Sequence, residues 1–320
     1  MNSMSRIRSL LPWVAGLAVL ALVLWRTPLS DMVDALRLSR LELFVPIMAG
    51  ACVAWFLIDS KAFALIFGRF NTSLTFAEAL ELRGLTYLLT PIYWNLGRAA
   101  VIARLHSARH VPILEATSSM AFYQTLDAIL LSGLCWIGFS AMPSNLRLAS
   151  LPPLVAATFL ILVGYMLVIR TNRPAFGPLD RLRASTFHRT HRLAQTRQII
   201  AILSLRIAYY AVFVSVYFGG TSAFGIDLPF ALIIASVPII QAIGALPISP
   251  AGLGTQQAAM LFLFSGFGAD AAIVAFGLTF PILAIAFRSM IGWLYIGRIS
   301  QSDTKPALEP SRLPHADPFD

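Results

Sequence analysis

Ionisable and polar groups set inside long apolar runs are the residues of this chain best able to do chemistry. Asp127 lies near the middle of the apolar run 118–139, and Gln124, three residues earlier, shares its helical face. A charge at that depth is costly and by default marks a functional site. Asp127 could contact a headgroup, relay a proton or pair with an arginine, while an ion pair that only holds helices together is the alternative.

Arginines inside apolar runs indicate an anionic ligand. Arg206 lies seven residues into the run 199–218, about 10 Å deep, and Tyr210 shares its face. A guanidinium backed by tyrosines can hold a phosphate through two hydrogen bonds, and snorkelling to the membrane surface is an equal alternative. Arg288 lies nine residues before Gly297, about 14 Å from that end of its run. Snorkelling explains Arg288 less well.

A break rich in proline and glycine interrupts the apolar sequence at QAIGALPISPAGLGTQQAAM, residues 241–260. Two prolines and three glycines within the eleven residues 244–254 cannot continue a helix. Irregular backbone at membrane depth is tolerated only where it is buried in protein or lines a polar cavity. Transporters build midplane binding sites from broken helices of this kind. This break is therefore the best single indication of function.

The break also predicts an anion site. A helix beginning near Thr255 would offer free N–H groups and a partial positive charge to a phosphate. A tight turn between two packed helices is the alternative. The residues predicted to bind here are Ser249, Gly252, Gly254 and Gln257, with Pro247 and Pro250 breaking the helix.

A second break lies in the first half of the chain. Residues 85–97 are apolar but too short to span, and Pro91 and Gly97 interrupt them, which predicts a re-entrant segment. Arg98 follows directly and could lie at the mouth of that segment as a substrate-binding residue, or serve as an ordinary anchor on the cytoplasmic side. Two short broken segments, one in each half, are typical of inverted-repeat transporters.

Composition places the chain among polytopic membrane proteins. Apolar residues make up 58% of 320 residues and charged residues 12%, about half the charged share of a soluble domain. The net charge of +9 comes from bases that lie mostly between apolar runs, where the positive-inside rule explains them better than nucleic-acid binding does. P-loop, GxSxG and HExxH motifs are missing, so we expect no enzyme activity, cofactor or metal.

These patterns predict an all-α integral membrane protein with about eight membrane-embedded helical segments, two of them broken or re-entrant. Residues 29–40 form an amphipathic interfacial helix. We expect one transmembrane domain over residues 1–297 and a disordered tail over 298–320. The predicted segments are 10–25, 43–67, 85–97, 118–139, 151–169, 199–218, the broken pair 228–246 and 256–267 on either side of the main break, and 270–296.

The distribution of arginines sets the topology. The connection 170–198 carries seven arginines against one acid, Asp180, and is predicted to be cytoplasmic. Counting back through the segments places the N-terminus on the same side. The arginines of this connection could also contact anionic headgroups.

Three motifs resemble one family. LPISPAGLGTQQAA is similar to the signature P-x-S-P-G-G-x-G-x-x-E of the lysylphosphatidylglycerol synthase transmembrane region, also called the flippase-like domain. LLTPIYWNLGRAAVIARL and FYQTLDAILL resemble two further motifs of that family, the second of which ends in a buried aspartate that matches Asp127. The resemblance covers residues 13–297. Ala251 stands where the family has glycine, Gln257 where it has glutamate, and Tyr123–Gln124 where it has Glu-Arg.

The resemblance implies a bacterial inner-membrane protein that moves a phospholipid or lipid-linked headgroup between leaflets. Bifunctional relatives carry an aminoacyl-transfer domain after this region; this chain ends about twenty residues after its last helix, so we expect no lysyl transfer. A glutamine at position 257 cannot titrate as a proton carrier.

The function predicted from the sequence is therefore a lipid flippase whose two broken segments meet at a polar cavity open to lipid, exposed alternately by rocking of two halves. Its partners would be membrane phospholipids or a lipid-linked substrate, with proteins of envelope lipid synthesis as further candidates and no nucleic acid. The alternatives are a transporter of a water-soluble solute, an enzyme acting on polyprenyl or hopanoid lipids, and a non-catalytic assembly partner.

Overall fold

The computed structural model describes residues 16, 18–25, 27–89, 94–142, 151–171, 177–245 and 254–302, and all regular structure among them is helical. Five helices are long and apolar enough to cross a membrane, which confirms the all-α membrane fold. Within the described residues the helices are α1 (Leu29–Leu38), α2 (Leu41–Phe70), α3 (Phe76–Leu89), α4 (Trp94–Arg109), α5 (Ile113–Ala141), α6 (Leu151–Arg170), α7 (Gly177–Ala184), α8 (Arg189–Leu193), α9 (Thr196–Ala223), α10 (Phe230–Ala245), α11 (Thr255–Phe264) and α12 (Asp270–Ser302), with a 3-10 turn at Thr186–His188 before α8.

The chain divides into two compact units. Unit 1 consists of Met1–Cys52, Leu131–Thr158 and Tyr210–Phe287. Unit 2 consists of Val53–Leu130, Phe159–Tyr209 and Arg288–Asp320. The division falls inside α2, α5, α6, α9 and α12, so each long helix contributes residues to both units.

Each unit contains one pair of short helices. In unit 2, α3 and α4 pack against each other, and in unit 1, α10 packs against α11. At 1.5 Å per residue these helices are about 15 to 24 Å long, shorter than the ~30 Å hydrocarbon core. The residues joining each pair, including Pro91, Pro247 and Pro250, lie outside the described part of the chain. Re-entry of the pairs into the membrane stays a prediction.

One predicted segment has the wrong bounds. The sequence predicts a segment over 85–97, whereas α3 begins at Phe76 and α4 runs from Trp94 to Arg109. The start of α3 is set by Thr75 and Glu78: the Glu78 N–H donates to Thr75 Oγ1 at 3.3 Å, and the Thr75 N–H donates to Glu78 Oε2 at 2.9 Å. This reciprocal capping stabilises a helix start that hydropathy does not detect.

The connection after α6 folds back as a cap on unit 2. Its arginines donate to carbonyl groups at or near helix ends, which lack partners within their own helices. Arg189 Nη1 donates to the Phe70 carbonyl of α2 at 2.9 Å, and Arg183 Nε donates to the Val168 carbonyl of α6 at 2.9 Å. These arginines therefore hold the fold together in addition to any role in topology.

His191 is the buried centre of this cap. Its Nε2 lies 3.3 Å from Thr125 Oγ1, whose own proton goes to the Ala121 carbonyl at 2.9 Å. His191 must therefore donate from Nε2, and its Nδ1 carries the lone pair. Nδ1 has no hydrogen-bond partner among the described residues. Burial, together with the neighbouring His188, lowers the pKa of His191 to about 4.

Close helix contacts in unit 1 depend on glycine. A Cβ added to Gly138 of α5 would overlap the backbone carbonyl of Ala235 in α10, whereas a Cβ on Gly164 of α6 would meet no atom within 4 Å. We predict that Gly138→Ala lowers the thermal unfolding midpoint of the detergent-solubilised protein, with a cost of about 1–3 kcal/mol from overpacking. Gly164→Ala is the matched control and should leave the midpoint unchanged or higher, because alanine favours the helix. Equal midpoints for the two variants would contradict the α5–α10 contact.

The cap should lose stability in mild acid. Because the pKa of His191 is about 4 in the folded protein against 6.5 for a free histidine, the unfolded chain binds a proton first as pH falls below 6.5. This costs about 2 kcal/mol at pH 5. We predict that His191→Phe, which keeps an aromatic ring against Phe122, shows a smaller fall in unfolding midpoint between pH 6.5 and 4 than the parent. The exposed His110→Asn variant should follow the parent, and a fall in His191→Phe as large as the parent's would refute this role.

Candidate functional site

Asp59 of α2 is the centre of a buried ionic network in unit 2. Its side chain is 3% exposed. Oδ1 accepts hydrogen bonds from Arg206 Nη1 and from the Tyr123 hydroxyl, both at 2.8 Å, and Oδ2 accepts one from Arg83 Nη2. Three donors, two of them charged, therefore satisfy this carboxylate within the bundle.

Arg206 joins this carboxylate to the second one. Its Nε and Nη2 both contact Asp127 Oδ1 at 2.7 Å, and its guanidinium lies 3.9 Å from the ring centre of Tyr209. The arginine side chain is 5% exposed, so it is a buried bridge and does not snorkel to the surface. Of the roles predicted for Asp127, the structure shows the pairing with an arginine.

Three arginines other than Arg206 lie in or beside this network. Arg98 of α4 is half-buried and within electrostatic range of Asp127. The Arg288 guanidinium lies 5.1 Å from the Trp55 ring centre and 5.5 Å from that of Tyr87. Arg83 approaches the same Tyr87 ring at 4.7 Å. Aromatic faces attract guanidinium groups while leaving their N–H groups in plane for other partners.

We call the six charged groups together the arginine cluster. Four guanidinium groups and two carboxylates give it a formal charge of +2. Each member comes from a different helix, so the cluster depends on the packing of the whole of unit 2. Its members are Asp59 (α2), Arg83 (α3), Arg98 (α4), Asp127 (α5), Arg206 (α9) and Arg288 (α12).

The sequence analysis missed Asp59 and Arg83. Asp59 lies well inside a 30-residue apolar helix, so the rule that singled out Asp127 applied equally to it. Arg83 precedes the predicted segment 85–97, because the start of its helix at Phe76 was not recognised. The sequence does show a charged residue inside an apolar run at Asp59 and one directly before an apolar run at Arg83.

Other predicted site residues lie apart from the cluster. Gln124 is half-buried, and no hydrogen bond between it and the cluster appears among the described residues. Tyr210 belongs to unit 1, where its ring packs 6.3 Å from that of Phe213; the ring stacked on Arg206 is that of Tyr209. Gly97 is buried in α4. Ser249 and Gly252 lie outside the described residues.

Gln257 and Gly254 are bound to each other at the start of α11. The Gly254 N–H donates to Gln257 Oε1 at 2.7 Å, and Gln257 Nε2 donates to the Gly277 carbonyl of α12 at 2.7 Å. Gly254 adopts a φ of +84°, and a side chain there would overlap the backbone of Gly16. The polar groups of Gln257 are therefore used inside unit 1, which favours a structural role for it; anion binding here stays a prediction.

The described residues include no group of three or more His, Cys, Asp or Glu side chains placed to hold a metal. The arginine cluster presents guanidinium and phenol groups, which can recognise a charged ligand through hydrogen bonds.

Comparison with known proteins identifies the chain at the level of a family. The model of the lysylphosphatidylglycerol synthase transmembrane region matches residues 13–292, most of the 320 residues. A search of curated proteins finds no match.

The two hydrogen bonds of Gln257 generate a prediction. In Gln257→Glu, a carboxylate could still accept from Gly254 but could not donate to the Gly277 carbonyl unless protonated. The pKa of this glutamate should rise above the usual value of about 4.3, so the variant should lose stability relative to the parent as pH rises from 4 to 8. The exposed Gln195→Glu variant is the control, expected to follow the parent. A stability difference that does not vary with pH would contradict the assigned hydrogen bonds.

Proposed function

The chain belongs to the lysylphosphatidylglycerol synthase transmembrane-region family, and we propose that it moves a phosphate-bearing lipid between the two leaflets of a bacterial inner membrane. The headgroup contacts the arginine cluster while the acyl chains stay in the bilayer. Under this proposal the connection 170–198 and the N-terminus face the cytoplasm. The partners are membrane phospholipids or a lipid-linked substrate.

The observation that carries this proposal is the +2 charge of the arginine cluster inside an apolar bundle. A charge in such surroundings is costly unless it is matched. An anionic headgroup supplies the matching charge, and guanidinium groups fit phosphate oxygens with paired hydrogen bonds. A neutral solute would gain nothing from this excess of positive charge.

Solvent exposure differs between the side chains of the arginine cluster, and this difference supports one end of the cluster as the entry point of the headgroup. Asp59 and Arg206 are at most 5% exposed, while the Asp127 side chain is 32% exposed and Arg98 is half-buried. The headgroup therefore meets the Arg98–Asp127 end first. There the Asp127 carboxylate competes with phosphate for the guanidinium, which keeps binding weak enough for the lipid to leave again, as conduction past any binding site requires.

The proposal is tested by leaflet exchange in proteoliposomes. The full chain is reconstituted in phosphatidylcholine vesicles with a trace of phosphatidylglycerol fluorescent on its acyl chain, and dithionite is added outside. Wild-type protein should expose inner-leaflet probe to bleaching, whereas protein-free vesicles should not. Arg98→Gln should slow this exchange about tenfold, the effect of losing one charged hydrogen bond.

Arg37→Gln is the matched control, because Arg37 lies on α1 with a 77% exposed side chain. It should exchange lipid at the wild-type rate. Exchange by the wild type no faster than in protein-free vesicles would overturn the proposal. Equal rates for Arg98→Gln and the wild type would remove the arginine cluster from the mechanism.

A further inference from the structure

The hydroxyl of Tyr87 is a buried polar group that has no hydrogen-bond partner among the described residues. Tyr87 of α3 is 2% exposed, and its hydroxyl makes no hydrogen bond to the described residues. The Nε atom of Arg83, one helical turn earlier, is also buried without a hydrogen-bond partner there. Native proteins rarely leave buried donors unsatisfied. Two of them on one face of α3 therefore point to an acceptor that the described residues do not provide.

The surroundings of Tyr87 are cationic. Its ring lies 4.7 Å from the Arg83 guanidinium carbon and 5.5 Å from that of Arg288. The one nearby carboxylate among the described residues, Asp59, is already bonded to Arg206, Arg83 and Tyr123. An acceptor that satisfies these donors is therefore favoured if it carries negative charge.

Arg206 differs from these arginines in how it is used. Its Nε, Nη1 and Nη2 all contact Asp59 or Asp127. Breaking those contacts would remove the guanidinium that both buried carboxylates share, an unfavourable change inside the bundle. Arg206 is therefore a positioning residue that holds α2, α5 and α9 in register.

We propose that Tyr87, Arg83 and Arg288 form an anion subsite that binds a phosphate or phosphodiester oxyanion. The tetrahedral oxygens of that group accept from the phenol, from Arg83 Nε and from the Arg288 guanidinium at the same time. The subsite rests on the proposed function only in taking a lipid headgroup as the source of the oxyanion; free phosphate has the same chemistry.

The test is ligand binding to the full chain in detergent. Affinity is measured by titration calorimetry for two probes, inorganic phosphate and dihexanoyl-phosphatidylglycerol. Tyr87→Phe should weaken binding of the phosphate-bearing probe about tenfold. The matched control is Tyr217→Phe, the same change at a fully buried tyrosine of unit 1, and it should bind as the wild type does.

Stability separates binding from a structural role. The Tyr87 hydroxyl has no hydrogen-bond partner among the described residues. Its removal should therefore leave the unfolding midpoint of ligand-free Tyr87→Phe unchanged or higher. The rise in midpoint that the probe causes should become smaller. Weakening of the phosphatidylglycerol arm alone identifies a lipid headgroup as the ligand, and weakening of both arms identifies the oxyanion itself. Wild-type protein that binds neither probe, or Tyr87→Phe that binds both as tightly as Tyr217→Phe, overturns the subsite.

The outcome is independent of the transport assay. Weaker binding in Tyr87→Phe, with no leaflet exchange by the wild type, would retain the subsite and reject the flippase. Exchange by the wild type, with unaltered binding in Tyr87→Phe, would retain the flippase and reject the subsite.

Discussion

The buried carboxylate of Asp59 is the constraint on which the rest of unit 2 depends. An aspartate only 3% exposed among apolar helices needs hydrogen-bonding and charged partners. Arg206, Arg83 and Tyr123 supply them from three other helices. Hydrophobic residues of similar volume could hold the same helices together at no electrostatic cost. Keeping the charges therefore argues for a role beyond stability, and the net charge of +2 argues that the role involves an anion.

Under the proposed function, structural and ligand-binding roles fall on different arginines of the cluster. Arg206 is bonded on all three of its nitrogens to the two aspartates and is nearly inaccessible. Arg83 and Arg288 share the face of Tyr87, and Arg98 lies at the more exposed Asp127 end. Because a stacked guanidinium keeps its N–H groups in plane, stacking positions it without using up its donors. The fold thereby holds four guanidinium groups close to two carboxylates.

Hydropathy predicted the long helices well because burial in lipid is a property of each segment alone. The runs 43–67 and 199–218 correspond to α2 and α9 within five residues at each end. Pairing is not a local property: Asp59 and Arg206 are 147 residues apart, and no spacing rule links them. The first half of α3 was missed for the same reason, since a sequence does not show that Arg83 meets an aspartate of another helix. Tyr87 was overlooked because hydropathy counts tyrosine among the apolar residues. The sequence does not show that its hydroxyl lacks a hydrogen-bond partner among the described residues.

The strongest motif and the strongest chemistry lie in different units. The proline-glycine break carries the motif that resembles the family. In the described residues that follow this break, Gly254 and Gln257 make hydrogen bonds within unit 1. Glutamine is suited to that place because it accepts and donates at once, which an ionised glutamate cannot do. A proton carrier at position 257 is therefore excluded by the side chain itself. Under the proposed function, charge recognition falls to arginines, which stay charged near neutral pH. Binding to the arginine cluster should then be governed by the charge of the ligand, because the guanidinium groups that meet it stay charged.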